Sequence, residues 1–175
     1  MIEYEGKILD VDPDAIHNRI LDTGGRFLGE ALQRRLVFDV TPGDVSRWIR
    51  HRDNGTTVTL ATKHIHHDGL DGTEEHEVTV SDFDETHRLL QAMGFTAKSS
   101  QESRRSSYSL HGADVSVDQW PLIAAYAEVE GTSREHVVEV AALLGFAEDH
   151  LTGVNTTAVY RQRGIDLTVI PDLRF

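Results

Sequence analysis

Residues 2–8 read IEYEGKI, a strand-like segment in which charged and apolar side chains alternate. Because successive side chains of a β-strand point to opposite faces, Glu3, Glu5 and Lys7 share one face. The other face of the segment is apolar and carries Ile2, Tyr4 and Ile8. The segment therefore predicts a strand with one buried apolar face and one face of mixed charge.

The same two-residue spacing of polar side chains recurs in later strand-like segments. It groups Arg50 with Arg52, Thr57 with Thr59 and Lys63, Glu75 with Glu77, Asp114 with Ser116 and Asp118, and Glu128 with Glu130. Apolar residues alternate with several of these sets, namely Val78 and Val80, Val115 and Val117, and Ala127 and Val129. One face of the predicted sheet can therefore pack under helices, and the other face is densely charged.

Two arrangements of the sheet are compatible with this pattern. In the first, the charged face is the solvated side of an ordinary antiparallel sheet. In the second, the sheet curls into a barrel and the charged face lines its lumen. The repetition of acidic pairs along several strands, with a basic pair on another, favours the barrel.

The chemistry of these side chains supplies a reason for a charged lumen. Carboxylates from several strands are oxygen ligands suited to Mg²⁺ or Mn²⁺, while arginine and lysine bind phosphate oxygens. A lumen that holds both can bind the metal complex of a polyphosphate, because the negative charges of the ligand offset the buried cations.

Three short amphipathic helices are predicted, and each ends at a glycine. The first spans Pro13 to Asp22 behind Asp12, the second is capped by Ser81 and ends at Gly94, and the third follows the capping-box spacing of Thr132 to Glu135 and ends at Gly145. Tight turns are predicted at Asp53-Asn54-Gly55 and His111-Gly112-Ala113. We expect an α+β, mostly antiparallel fold of about eight strands and three or four helices. Residues 1–175 should form a single domain, with the tail from Ile165 packed against it.

Composition excludes several classes of protein. The chain has 175 residues, a formal net charge of −12 and no cysteine, which excludes a disulfide framework, a thiolate zinc site and a cysteine nucleophile. Acidic residues outnumber basic ones 29 to 17, so we expect no nucleic-acid and no membrane partner. No stretch approaches the ~18 apolar residues of a membrane helix, and the first residues are charged where a signal peptide is apolar. We therefore expect a cytoplasmic protein.

The charged motifs also follow one another in a recognisable order. Glu3-Tyr4-Glu5-Gly6-Lys7 is followed by Trp48-Ile49-Arg50-His51-Arg52, Thr59-Leu60-Ala61-Thr62-Lys63, Glu75-His76-Glu77, Arg105-Ser106-Ser107-Tyr108, Asp118-Gln119-Trp120-Pro121 and Glu128-Val129-Glu130. Over nearly the whole chain, this series resembles the CYTH superfamily, the triphosphate tunnel metalloenzymes, which include class IV adenylyl cyclases, thiamine triphosphatases and inorganic triphosphatases. The resemblance implies a closed eight-stranded antiparallel β-barrel, the triphosphate tunnel, with helices packed outside.

The resemblance also implies a role for each charged residue. The implied metal ligands are Glu3, Glu5, Asp118, Glu128 and Glu130. The implied substrate-binding residues are Lys7, Arg50, Arg52, Lys63, Glu75, Glu77, Arg105 and, near the C-terminus, Arg161. Among these residues, Glu5, Lys7 and Arg52 would be catalytic. The chain departs from the family pattern at Ser103, where many members carry a lysine, and Arg104 could compensate only if a β-bulge turned it inward.

The activity implied by the resemblance is divalent-metal-dependent hydrolysis of a small-molecule triphosphate, with Mg²⁺ or Mn²⁺ as the cofactor. The substrate would be tripolyphosphate, a nucleoside triphosphate or thiamine triphosphate, and the enzyme a monomer or homodimer. The alternative is a class IV adenylyl cyclase that makes cyclic AMP and pyrophosphate from ATP. A third hypothesis is a module that binds a triphosphate or nucleotide without turning it over.

One histidine-rich segment stands outside this series of motifs. His64-Ile65-His66-His67 invites interpretation as a zinc site. However, it precedes a polar turn at residues 68–72 and lacks the second pair of ligands that structural zinc sites have. We therefore interpret the segment as part of a solvated hairpin loop.

Overall fold

Every long strand of the chain pairs with two neighbours, so the main sheet closes on itself. The computed structural model describes all 175 residues. Its strands are β1 (Ile2–Ile8), β2 (Arg26–Asp39), β3 (Arg47–Asp53), β4 (Val58–Ile65), β5 (Thr73–Val80), β6 (Ala97–Leu110), β7 (Ala113–Gln119), β8 (Tyr126–Gly131), β9 (Leu151–Thr152) and β10 (Asp172–Leu173). Its α-helices are α1 (Pro13–Asp22), α2 (Phe83–Ala92), α3 (Arg134–Leu143) and α4 (Thr156–Gln162).

The eight long strands form an antiparallel barrel in the order β6, β2, β3, β4, β5, β1, β8, β7 and back to β6. Two short strands extend this sheet, because β9 pairs with β1 and β10 lies parallel to β6. The closed eight-stranded barrel and the α+β class predicted from the sequence are thus confirmed. None of the helices combines the length and the apolar composition that crossing a bilayer requires.

The predicted tight turns fix the register of two barrel hairpins. Between β3 and β4, Asn54 Oδ1 accepts hydrogen bonds from the backbone N–H groups of Thr56 and Thr57 at 3.1 and 2.8 Å. In this turn Gly55 adopts a φ of 88°, and Gly112 adopts a φ of 84° in the turn between β6 and β7. Glycine tolerates this left-handed backbone without steric cost, so the residue types at both turns match the conformation they adopt.

Side-chain caps begin the helices, and two of them differ by one residue from the sequence prediction. The Asp12 carboxylate accepts hydrogen bonds from the first turn of α1, as predicted. The predicted cap Ser81 is wrong for α2, because the Asp82 carboxylate accepts from the Glu85 N–H at 2.7 Å. Likewise, α3 is capped by Ser133 rather than by the preceding Thr132. Both segments offer adjacent capping side chains, so spacing alone selects the wrong one.

The apolar faces of the strands pack outward against the helices. The main core cluster joins Ile8, Val115 and Val129 of the barrel wall to Ile20 of α1 and Val137 of α3. Because side chains alternate along each strand, burying these residues under helices turns the charged residues between them into the barrel. The second of the two sheet arrangements, with a charged lumen, is therefore the one adopted.

A second apolar cluster lies where β7 ends and β8 begins. Trp120, Tyr126, Tyr160 and Leu173 form its buried centre, and Ile165 and Ile170 of the tail pack against it. The Tyr160 hydroxyl donates a 2.6 Å hydrogen bond to the Pro121 carbonyl. The tail is thus anchored by both side-chain burial and the β10 pairing, as its apolar spacing predicted.

The barrel is joined unevenly around its circumference. β1 pairs with β5 only through Ile2 with Glu74 and Glu3 with Thr73. Beyond these pairs, the Glu5 N–H donates a 2.8 Å hydrogen bond to the carbonyl of Leu70 in the loop between β4 and β5. This loop therefore extends the junction between β1 and β5 beyond the two residue pairs. We call this junction the seam.

Candidate functional site: the charged lumen of the barrel

Polar side chains from all eight long strands face the interior of the barrel. They are Glu3, Glu5, Lys7, Gln33, Arg35, Arg50, Arg52, Lys63, Glu75, Glu77, Ser103, Arg105, Asp118, Glu128 and Glu130, and we call this set the lumen site. Side-chain contacts between strands that are not neighbours in the sheet show that these residues all point inward. Arg50 of β3 reaches Glu75 of β5 at 2.6 Å, and Arg105 of β6 reaches Glu128 of β8 at 3.0 Å. The structure therefore brings the predicted strand residues of the site together.

Lys7 is buried between two carboxylates. Its ammonium group forms ion pairs with Glu5 and, at 3.3 Å, with Glu128, while only 4% of its side chain is exposed. Burial alone would lower the pKa of Lys7, but the attraction of Glu5 and then of Glu128 outweighs it and raises the pKa above the ordinary value. Lys7 therefore stays charged and holds two of the predicted metal ligands in place.

Arg105 and Asp118 form a bidentate ion pair on neighbouring strands. The Arg105 Nε and Nη2 atoms donate to the two Asp118 carboxylate oxygens at 2.8 and 2.6 Å, and Nη2 also donates to Glu128. Burial opposes the charge of Arg105, yet Asp118 and Glu128 raise its pKa well above the ordinary value. Asp118, predicted as a metal ligand, thus directs both carboxylate oxygens at a guanidinium group.

Lys63 links two acidic side chains near the seam between β1 and β5. Its Nζ atom lies 2.8 Å from a carboxylate oxygen of Glu3 and 2.8 Å from one of Glu75. Burial and a hydrogen bond to Glu75 raise the pKa of Glu3 to about 8, whereas Glu3, Arg50 and Lys63 lower the pKa of Glu75 despite its burial. The two neighbouring carboxylates therefore oppose each other's ionisation, although Lys63 contacts both.

Arg50 and Arg52 of β3 form a positively charged region of the lumen, which we call the cationic wall. Arg50 contacts Glu77 at 2.8 Å in addition to Glu75, and Arg52 contacts Glu77 at 3.3 Å. The Nε atoms of both arginines are nevertheless buried without a hydrogen-bond acceptor. Burial and repulsion by Arg50 and Arg105 lower the pKa of Arg52 to about 10. Each of these N–H groups thus lacks an acceptor, which an anion bound in the lumen would supply.

Arg35 is also part of the cationic wall, although the sequence analysis missed it. Its guanidinium group is buried, with the Nε atom lacking any acceptor, and lies 4.4 Å from the centre of the Trp120 ring. Burial and repulsion by Arg50, Arg105 and Arg52 lower the pKa of Arg35 to about 9. Counting the alternation back from the buried Phe38, which faces outward, would place Arg35 inside, but the adjacent Arg34 obscures the pattern.

Ser103, where the chain departs from the family pattern, is fully buried in the lumen. Its hydroxyl accepts a 2.7 Å hydrogen bond from Arg35 Nη2. Arg104 does not replace the missing lysine, because it faces outward and stacks over the Phe175 ring at 4.7 Å. The guanidinium group of Arg35 therefore supplies positive charge beside Ser103.

Glu130 is the carboxylate of the lumen site with the fewest partners. It forms no ion pair and no side-chain hydrogen bond, and it lines an open cleft with Arg105, Ser116 and Glu128. Burial and repulsion by Glu128 and Glu5 raise its pKa. Glu5 and Glu130 are directly paired across β1 and β8. Crowded oxygen donors with one unpaired member form a set that fits a hard divalent cation.

Arg161 lies apart from the other predicted site residues. It occupies the last turn of α4 with its side chain exposed, and it forms no ion pair with any residue of the lumen site. The position of α4 outside the barrel separates Arg161 from the cationic wall.

The lumen site thus combines two groups of opposite charge on the inward face of one barrel. Oxygen donors at Glu5, Glu128 and Glu130 can hold a cation, and the guanidinium groups of Arg35 and Arg52 can hold an anion. An anion with several charges and a bound metal ion would satisfy both groups together.

Comparison with known proteins identifies the same architecture elsewhere. A conserved hypothetical protein from Pyrococcus furiosus is 20% identical, with a TM-score of 0.74 over 88% of this chain and 97% of the other. A candidate adenylate cyclase from Vibrio parahaemolyticus is 16% identical, with a TM-score of 0.76 over 92% of this chain and 98% of the other. A candidate adenylyl cyclase from Hippeastrum, described as having a dominant triphosphatase activity, is 22% identical, with a TM-score of 0.61 over 93% of this chain and 96% of the other.

The family comparison covers most of the sequence. No curated protein is similar enough in sequence to match this chain. The family model described as the CYTH domain matches residues 1–159, a range that contains every member of the lumen site. The chain therefore belongs to the CYTH domain family.

Proposed function

We propose that this protein hydrolyses a small-molecule triphosphate in the lumen site, with Mg²⁺ or Mn²⁺ as its cofactor. The observation that carries the proposal is the set of buried guanidinium Nε atoms of Arg35, Arg50 and Arg52, none of which has an acceptor. Buried donors are normally satisfied, and phosphate oxygens are strong acceptors for arginine. A ligand with several phosphate groups would satisfy these atoms.

The charge balance of the cationic wall supports an anion with more than one charge. Arg35 and Arg52 both have lowered pKa values because neighbouring arginines repel them in a buried setting. Glu77 and Glu75 neutralise only part of this charge, through their contacts with Arg50 and Arg52. A polyphosphate would relieve the remaining repulsion, since buried charges become favourable only when they are paired.

The resemblance to the triphosphate tunnel metalloenzymes implies a divalent metal ion as cofactor. Here Glu5, Glu128 and Glu130 would hold the ion, and Glu3 lies on the same face of β1 as Glu5. A bound ion would supply Lewis-acid chemistry, by polarising a phosphoryl oxygen and activating a water molecule. Glu130, which has no cationic partner, is the ligand most readily available to it.

The protein side chains have separable roles in the proposed reaction. Lys7 orients the Glu5 and Glu128 carboxylates, and Asp118 orients Arg105 through two hydrogen bonds. Arg50, Arg52 and Lys63 would bind the phosphate chain and stabilise the charge that develops on the transferred and leaving groups. Because phosphoryl transfer depends mainly on positioning and electrostatics, these residues can support catalysis without a covalent intermediate.

Product analysis with the purified protein tests the proposal. Tripolyphosphate, ATP and thiamine triphosphate would each be incubated with the protein in Mg²⁺ and, separately, in Mn²⁺. We expect metal-dependent release of orthophosphate that is lost in Glu5→Gln and retained in Arg88→Ala, an exposed arginine on α2. Cyclic AMP with pyrophosphate from ATP would instead establish a cyclase. Tight binding of all three compounds without turnover would establish a binding module.

A further inference from the structure

A cluster of histidine and glutamate side chains lies on the outer surface of the barrel, where β4 and β5 meet the loop that joins them. His64 near the end of β4 pairs in register with Glu74 near the start of β5, and His66 follows β4 directly. We call His64, His66 and Glu74 the outer histidine site. A ligand atom from each of these three side chains lies within 4.8 Å of the other two.

The spacing of these ligand atoms is close to that of a bound metal centre. His66 Nε2 lies 3.3 Å from a Glu74 carboxylate oxygen, and the His64 and His66 ring centres are 4.1 Å apart. Ligands about 2.0–2.1 Å from a tetrahedral zinc ion are about 3.3–3.4 Å from one another. The side chains are partly exposed, and they must rotate to close the remaining distance.

A further histidine contacts the same carboxylate from β5. His76 Nε2 lies 3.2 Å from the other carboxylate oxygen of Glu74. The sequence analysis discounted a zinc site at the histidine-rich segment because no second pair of ligands follows it along the chain. The pairing of β4 with β5 brings the Glu74 carboxylate to the two histidines from the neighbouring strand.

The outer histidine site is separate from the lumen site. Lys63 and Glu75, the chain neighbours of His64 and Glu74, point to the other side of the sheet and pair with each other at 2.8 Å. The two donor sets also differ in chemistry. Imidazole groups suit zinc, copper and nickel, whereas carboxylates and water suit magnesium and manganese.

We propose that the outer histidine site binds a divalent transition-metal ion of the zinc, copper and nickel class. His64, His66 and Glu74 are its protein ligands. A metal ion bound there would tie the end of β4 to the start of β5. Because Glu74 also pairs with Ile2, the ion would reinforce the short seam between β5 and β1.

Arg47 opposes metal binding at this position. Its guanidinium Nη2 atom lies 3.3 Å from His64 Nδ1, which places a positive charge beside the ligands. Arg47 is exposed on the neighbouring strand β3. Removing this charge should therefore raise the affinity for the metal ion. Damage to the fold would not raise that affinity, so the two effects can be distinguished.

Copper spectroscopy on the full chain tests the proposal directly. One equivalent of Cu²⁺ would be added in the presence of excess Mg²⁺, which occupies oxygen-donor sites, and the electron paramagnetic resonance spectrum recorded. We expect nitrogen hyperfine structure from at least two imidazoles. This signal should be lost in the double variant His64→Ala/His66→Ala and kept in His150→Ala, an exposed histidine elsewhere on the surface.

Zinc titration by calorimetry provides the second measurement. We expect the affinity for Zn²⁺ to fall at least tenfold in His66→Ala and to rise severalfold in Arg47→Gln, with no change in His150→Ala. An unchanged copper spectrum in the double variant, or equal zinc affinity in wild type, His66→Ala and Arg47→Gln, would overturn the proposal. Neither readout depends on turnover, so the result is independent of the proposed triphosphatase activity.

Discussion

Asp118 of β7 and Arg105 of β6 stand directly opposite each other, and two hydrogen bonds of 2.8 and 2.6 Å join their side chains. Only 1% of the Asp118 side chain is exposed. The pair lies between the acidic and the cationic parts of the lumen, because Arg105 also contacts Glu128. In this geometry Asp118 positions the Arg105 cation, and the metal ligation that the family resemblance implies for Asp118 stays a prediction.

The first prediction concerns the energetic coupling of this pair. Asp118→Asn removes the charge that balances a buried guanidinium group, so the free energy of unfolding should fall by about 3 kcal/mol. Adding Arg105→Gln should cost less than the sum of the two single changes, with a coupling of about 2 kcal/mol. Urea denaturation of the four proteins in the cycle measures this term. Strictly additive losses would contradict the structural role assigned to the pair.

The second prediction concerns Arg35, whose charge is repelled in the ligand-free lumen. Because its pKa is lowered to about 9, the folded protein disfavours the charged form, and Arg35→Gln should leave the ligand-free protein as stable or more stable. The same change should reduce the rise in melting temperature that tripolyphosphate causes. Differential scanning fluorimetry with and without tripolyphosphate measures both effects. Arg34→Gln, which alters the neighbouring exposed arginine, is the control, and an equal ligand response in both variants would exclude Arg35 from the site.

The third prediction concerns Glu130 as a metal ligand without a protein partner. Glu130→Gln should lower the affinity for Mn²⁺ about tenfold, which corresponds to about 1.4 kcal/mol of binding free energy. It should not destabilise the metal-free protein, because repulsion from Glu128 and Glu5 is relieved. Calorimetric titration with Mn²⁺ tests this expectation. Glu139→Gln, at an exposed position on α3, changes the net charge equally and should bind Mn²⁺ as the wild type does.

The fourth prediction concerns Lys7, which separates two buried carboxylates. Lys7→Met should lower the free energy of unfolding by about 3–5 kcal/mol, because Glu5 and Glu128 lose their shared cation. Added Mn²⁺ should recover part of this loss by placing positive charge between them. Lys98→Met removes an exposed ion pair with Asp39 and should cost less than about 1 kcal/mol. Equal losses of unfolding free energy in the two variants would show that Lys7 contributes no more electrostatic stabilisation than an exposed lysine.

Local alternation was enough to predict the barrel wall and most of its charged interior. Glu3, Glu5 and Lys7 alternate with apolar residues that pack under helices, so their inward orientation follows from the sequence alone. The turns at Asn54 and Gly112 could be predicted for a similar reason, because a left-handed backbone restricts the residue type.

The features that sequence analysis missed depend on neighbours that are distant along the chain. Arg35 follows another arginine, and only its packing against Trp120 and Ser103 distinguishes the buried one from the exposed one. In the outer histidine site, linear spacing reveals His64 and His66 but not Glu74, which lies on the neighbouring strand. The partner of Asp118 is likewise fixed by the pairing of β6 with β7, a relationship that a motif does not encode.

The uneven closure of the barrel determines where the wall can open. Two residue pairs join β1 to β5, whereas β1 and β8 share five. Local unfolding begins where the fewest hydrogen bonds must break, so backbone amides along the β1 and β5 boundary should exchange with solvent sooner than those of the other walls. Because β1 stays paired with β8, local unfolding at this boundary would separate β1 from β5 beside Glu3 and Lys63. The Glu3 and Lys63 side chains would then be exposed to solvent from the side of the barrel.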